Sequence, residues 1–184
     1  QILEKKGIDI TAYTISIGSI RAGEPSAYPL SSLVTRDSIE ESAVRCPDPA
    51  ATGEMLNLLG EIAADGDSIG GAVELVVRGC PAGLGEPVFD KLDAALAGAL
   101  MSIGAVKAVE VGAGCAVAEM RGSESNDPLE GEPSRNNAGG ILAGISSGAD
   151  IVLCVAVKPI PSIGMRVSGR HDVCAIPRIN PVCE

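Results

Sequence analysis

GLGEPVFDKLDAALAGALMSIG, residues 83–104, is the stretch on which the reading of the fold turns. Glu86 and Pro87 predict a helix start, because a carboxylate suits the positive end of the helix dipole and a proline in the first turn forfeits no needed hydrogen bond. Val88, Leu92, Leu96, Ala99 and Ile103 then recur at helical spacing as a buried stripe. The alanines and Gly98 leave little bulk on the other faces, so a helix over 87–102 would pack closely on more than one side. That predicts a helix inside a layer, covered by sheets.

Working outward, VKAVEVG at 106–112 and AVELVVRG at 72–79 read as strands, the second buried. DGDSIGG at 65–71 stops an earlier helix that Asp48 caps and Pro49 opens, with Met55, Leu58, Leu59 and Ile62 on one face of 49–64. GIDITAYTISIGS at 7–19 nearly alternates and is rich in Ile and Thr, which fits a strand. RAGEPSAYPLSSLVTRD at 21–37 has prolines, serines and no period, so it reads as a loop or cover. Residues 122–137, GSESNDPLEGEPSRNN, are a polar loop, and the paired Asn136 and Asn137 read as turn residues. IVLCVAVK at 151–158 is a further apolar strand. No fixed repeat or linker divides the chain. The expectation is a single domain over 1–184, α+β, with a helical layer between mainly antiparallel sheets.

Composition narrows the function. The chain has 184 residues, 46% of them apolar, enough for one domain with a real core. Trp is absent and Phe89 is the lone phenylalanine, so Val, Ile, Leu and Ala must build that core. A net charge of −10 and 2% aromatics argue against nucleic acid, which wants basic grooves and stacking rings. No apolar run approaches the roughly 20 residues of a membrane span, and no signal sequence opens the chain, so no membrane association is expected. Cys46, Cys80, Cys115, Cys154, Cys174 and Cys183 form no C-x-x-C pair, and His171 has no second histidine beside it. They are expected to be small buried residues in a reducing cytosol, with no metal. The chain starts at Gln1 and stops at Glu184 in the middle of a run, which suggests a fragment.

The cations gather at one end. Residues 158–184 carry Lys158, Arg166, Arg170 and Arg178 against Asp172 and Glu184, while the preceding part has ten basic and twenty-two acidic residues. Charges are screened beyond about 10 Å in ordinary salt, so such a segment reads as a local anion site. Lys158 ends a strand and precedes a turn stiffened by Pro159 and Pro161, with Ser162 beyond. A point charge plus a hydroxyl can hold phosphate, although a surface lysine beside a rigid turn fits equally. Arg170 and Asp172 would project to one side of extended chain, where the arginine could bind an anion and the carboxylate accept or orient a proton. A solvated ion-pair cluster is the plainer reading. One histidine without a nucleophile partner builds no hydrolase triad. The glycine clusters match neither the dinucleotide nor the P-loop fingerprint.

RCPDP at 45–49, GDSIGG at 66–71, GCPAGLGEPVFDKLDA at 79–94, VKAVEVG at 106–112, RGSESND at 121–127, NNAGGILAGISSG at 136–148, KPIPSI at 158–163 and GRHDVCAIPR at 169–178 together resemble the chorismate synthase family. The blocks stand in the family's order and spacing and cover nearly the whole chain. The resemblance implies conversion of 5-enolpyruvylshikimate 3-phosphate to chorismate, the last step of the shikimate pathway. This is a 1,4-elimination of phosphate that needs reduced FMN without net redox change. It also implies a helical layer sandwiched between two antiparallel sheets, a homotetramer and a cytoplasmic location.

Carried over by position, Lys158, Pro159, Ile160, Pro161 and Ser162 would grip FMN, with Lys158 and Ser162 at its phosphate. Gly104, Ala105 and Ala143 would give backbone contacts to it. Arg170 would face flavin and substrate, and Asp172 would act with flavin N5 in removing a substrate proton. His171 falls where the family varies and is given no role. Gly104 stands where many members have Asn or Pro, Ala143 where glycine is usual, and Cys80 where Val is common. Members are roughly twice this long, with their catalytic histidines and most substrate arginines before the matching region and a helix after it. The fragment is therefore expected to be inactive alone. The other reading is a non-catalytic FMN or phosphate-ligand binding module; an NADPH-dependent flavin reductase finds no fingerprint here.

Overall fold

The computed structural model describes residues 2–23, 34–128, 135–161, 163 and 172–184. In chain order they form β1 (Asp9–Ile17), β2 (Ile20–Arg21), α1 (Arg36–Glu40), α2 (Pro49–Ala64), β3 (Gly71–Arg78), α3 (Leu92–Met101), β4 (Val106–Val111), α4 (Gly122–Ser125), β5 (Ile141–Leu142), β6 (Ile145–Ser146), β7 (Ile151–Val157) and α5 (Ile176–Cys183). Five strands make one sheet in the order β2-β1-β3-β7-β4, and β5 pairs with β6 as a separate hairpin.

The sheet is antiparallel, which the contacts at strand ends make plain. Gly18 N–H donates to Gly70 O beyond one end of the β1/β3 pair, and Gly79 lies against Gly7 O at the other. Lys158 N–H donates to Ala105 O and Gly112 N–H to Val152 O at the two ends of β7/β4. The α+β expectation therefore holds. The predicted strands all form, within a residue or two at each end.

The chain gathers into two compact units: Gln1–Thr11, Leu75–Ser102 and Val109–Cys154 in one, and Ala12–Glu74, Ile103–Ala108 and Val155–Glu184 in the other. In the second unit Ala12 to Ile17 of β1 are all buried, so both faces of that strand are covered. The buried side chains there include Tyr13, Ile17, Ile39, Met55, Val73 and Ile176. Several of its buried polar groups find partners. The Tyr13 hydroxyl donates to Glu74, Thr14 Oγ1 donates to Val44 O at 2.6 Å, and Asn180 Nδ2 donates to Thr14 Oγ1 at 2.9 Å. Ala12 N–H is taken by the Glu184 carboxylate at 3.1 Å and Thr14 N–H by Arg45 O at 2.9 Å, which settles strand donors that would otherwise be costly to bury.

In the first unit Ala143 and Gly144, at φ 51 and 84, make the two-residue turn joining β5 to β6. Gly144 O accepts the first α3 amide, from Leu92, at 2.8 Å. The Asp127 carboxylate takes the N–H groups of Asn137 and Ala138 at 2.7 and 2.8 Å, and Asn136 bridges Asp150 O and Gly140 N–H. The two asparagines are thus specific fasteners of the segment leading into the hairpin.

Some expectations need correcting. The helix predicted over 87–102 begins at Leu92, because Glu86 and Asp90 exchange N–H···O bonds at 2.8 and 2.9 Å and close a tight turn before it. Val88 lies outside the helix, 75% exposed, and Phe89 is 94% exposed. Of the predicted stripe, Leu92, Leu96 and Ile103 are half-buried and Ala99 exposed; Leu100 is the buried residue of α3. On α2 Met55 is buried and Leu58, Leu59 and Ile62 are half-buried, but Leu56 faces outward. Among the described residues neither helix is covered on several faces: small side chains permit close approach without supplying the cover. Of the loop predicted over 21–37, residues 24–33 lie outside the described residues, and Arg36 and Asp37 belong to α1, whose capping box pairs Thr35 with Ser38. Residues 122–125, predicted loop, form α4.

Candidate functional site

The alternation of buried positions along β7 ends at Val157, so Lys158 emerges exposed. Its backbone is fixed at once, since Lys158 N–H donates to Ala105 O at 2.9 Å. Pro159 and Pro161 carry no donor, and the intervening Ile160 O accepts the Ser68 hydroxyl at 2.6 Å. Gly70 passes so close that a Cβ there would lie 2.3 Å from Val157 O and 3.0 Å from Pro159 N. The KPIP turn is therefore clamped by Ser68 and Gly70 on one side and by Ala105 at its start.

The same short segment holds the other candidate run. Ile69 N–H donates to Val173 O at 2.8 Å, which ties the residue after Asp172 to the residue between Ser68 and Gly70. Asp67 Oδ1 accepts Ser68 N–H at 2.7 Å and stiffens the segment itself. Asp172 is half-buried, and Arg178 on α5 donates to its carboxylate at 2.5 Å. Asp172 thus arrives with a held orientation.

Within one unit the fold brings together Gly104, Ala105, Lys158, Pro159, Ile160, Pro161 and Asp172. Ala105 has φ 73, a left-handed conformation that turns the chain toward β4, and Gly104 is exposed with open space where a side chain would stand. Ala143 belongs to the other unit, exposed at the tip of the β5–β6 hairpin. Its φ of 51 is the reason glycine suits that position. Ser162, Arg170 and His171 lie outside the described residues.

Ser68, Ile69, Gly70 and Arg178 were missed as site-building residues. GDSIGG reads from sequence as a helix stop, and the only hint of more is that a turn with two prolines must find outside donors for its carbonyls. Arg178 reads as one more free cation because Pro177 and Pro181 hide α5; Pro177 sits in the helix's first turn, where it is tolerated.

The arrangement offers an exposed ammonium on a rigid turn and, on a run tied to the same Ser68–Gly70 segment, a positioned carboxylate, groups suited to a phosphorylated ligand and proton handling. Among the described residues no group of three His, Cys, Asp or Glu could hold a metal ion. No helix among them is long and apolar enough to cross a membrane. Burial pushes the thiols of Cys46 and Cys174 up, and Cys183 up to about 11 with the neighbouring Glu184 charge adding to it. Cys80 is buried too, whereas Cys154 is half-buried and Cys115 exposed.

Fold and site define an α+β protein whose antiparallel strands end in turns that collect the candidate residues. The family model for chorismate synthase matches residues 1–184, and the chain belongs to that family. A curated chorismate synthase from Syntrophobacter fumaroxidans is 50% identical, covering 100% of this chain and 54% of the relative. One from Syntrophus aciditrophicus is 54% identical over 97% of this chain and 53% of its own length. A solved structure titled "Crystal Structure of Chorismate Synthase" superposes with a TM-score of 0.85 at 31% identity, over 99% of this chain and 55% of that one. The chain spans about half the length of the curated relatives it matches.

Proposed function

We propose that the whole protein containing this chain converts 5-enolpyruvylshikimate 3-phosphate to chorismate by 1,4-elimination of phosphate, with reduced FMN as cofactor. Family membership supports the reaction class. The observation that carries the site is the convergence of the KPIP turn and the Asp172 run on Ser68–Gly70. The residues fit a phosphorylated flavin: an exposed ammonium stands on a fixed turn, and the backbone at Gly104 is unobstructed. When bound, reduced FMN supplies a transient electron and a proton acceptor at N5.

The chain's own residues do the holding. Lys158 and Ser162 take the phosphate, while Pro159, Ile160 and Pro161 keep that turn rigid. Gly104, Ala105 and Ala143 line the cofactor through backbone, and Arg170 faces flavin and substrate. Asp172 takes part in removing the substrate proton, its carboxylate aimed by Arg178. Residues 1–184 serve as one domain of a cytoplasmic homotetramer and give no turnover alone.

Asp172→Ala in the full-length protein tests the assignment. Turnover is expected to fall by at least about a hundredfold, the lower bound for a lost acid–base group, with flavin affinity unchanged. Unchanged turnover removes the role of Asp172, and a wild-type protein that forms no chorismate removes the reaction.

A further inference from the structure

We infer that Ser68 is a positioning residue that sets the grip on the flavin's phosphate, an assignment that rests on the KPIP turn being the FMN site. Pro159 and Pro161 strip the turn of two backbone donors, so its shape depends on what its carbonyls accept. Ser68, itself 8% exposed, donates to Ile160 O at 2.6 Å. Its own amide is held by Asp67 at 2.7 Å, and the next residue bonds Val173 at 2.8 Å. The hydroxyl thus joins a stiff segment to the middle of the turn, two residues past Lys158 and two before Ser162. Neither the phosphate nor the isoalloxazine need touch Ser68. Its hydroxyl fixes the turn that carries Lys158, so losing it weakens a phosphorylated ligand and spares the same ligand without phosphate.

FMN and riboflavin are titrated into the full-length wild-type protein and Ser68→Ala by flavin fluorescence, with thermal unfolding in parallel. The preference for FMN over riboflavin is expected to narrow about tenfold in Ser68→Ala, the scale of one lost hydrogen bond, with riboflavin affinity held. Ser68→Thr, which keeps the hydroxyl, is expected to retain the wild-type preference. Ser38→Ala removes a hydroxyl–carbonyl bond to Thr35 on α1 and is expected to lower stability without changing the preference. A Ser68→Ala protein that keeps the wild-type preference overturns the inference, as does equal narrowing in Ser38→Ala. Should Ser68→Ala fail to fold, Ser68→Cys, a weak donor of similar size, serves in the same comparison. A wild-type protein with no preference for FMN sinks the underlying site, and the inference with it.

Discussion

Ala143 and Ala105 occupy left-handed backbone, at φ 51 and 73, where a Cβ crowds the carbonyl and glycine does not. Ala143→Gly and Ala105→Gly are each expected to gain up to about 1 kcal/mol, strain relief outweighing the added freedom of the unfolded chain. Thermal unfolding reads this as a rise of about 2–4 °C; a fall would show that the methyl packs usefully. Gly70 is the opposite case, because an added methyl meets backbone on the neighbouring strand rather than a yielding side chain. Gly70→Ala is expected to cost about 1–3 kcal/mol and to disturb the KPIP turn. Cys183 carries a pH signature. The folded state holds its proton more tightly than the unfolded chain does. Its contribution is therefore complete below the thiol's ordinary value of 9.0 and is lost as pH rises from there through about 11. Wild type should lose on the order of 1 kcal/mol more than Cys183→Ala between about pH 8 and pH 11 in urea unfolding. Parallel loss in both would contradict the assignment.

At the scale of elements, α2 shows what sequence makes legible. Asp48 N-caps it, accepting from Ala50 and Ala51, and Pro49 opens it, as the DP pair implies. The same carboxylate also accepts Gly23 N–H at 3.0 Å, the largest cause holding its pKa below the usual value, and no local pattern announces that contact. Asp48→Ala is expected to cost about 1 kcal/mol at neutral pH. Because the folded value is depressed, the difference between wild type and variant should vanish as pH falls through the carboxylate range; a constant difference would mean the cap acts by packing alone. The longer strands β1, β3, β4 and β7, with period two or β-branched residues, were legible to within a residue or two, whereas the two-residue strands β2, β5 and β6 were not. The start of α3 was not, because a reciprocal pair of backbone bonds between Glu86 and Asp90 overrides a favourable local sequence. Nor was α5, where two prolines argue against a helix that tertiary packing of Ile176 and Ile179 sustains.

For the whole molecule, the cationic end is less uniform than its sequence implies. Arg178 is engaged with Asp172, while Lys158 stands exposed. On the acidic side, Glu184 takes Ala12 N–H and pairs with Arg36 and Arg45 at 3.2 and 3.7 Å. The family was legible because blocks in fixed order cover nearly the whole chain; the clamp at Ser68–Gly70 was not, being made by residues some ninety positions from the turn they hold. The central claim is that the clamped turn holds a flavin phosphate through Lys158. FMN titration of the full-length protein against its Lys158→Ala variant tests it most directly. The account expects binding at least about tenfold weaker in the variant, the scale of one charged phosphate contact, with riboflavin affinity unchanged. Equal FMN affinity in the two proteins would contradict it.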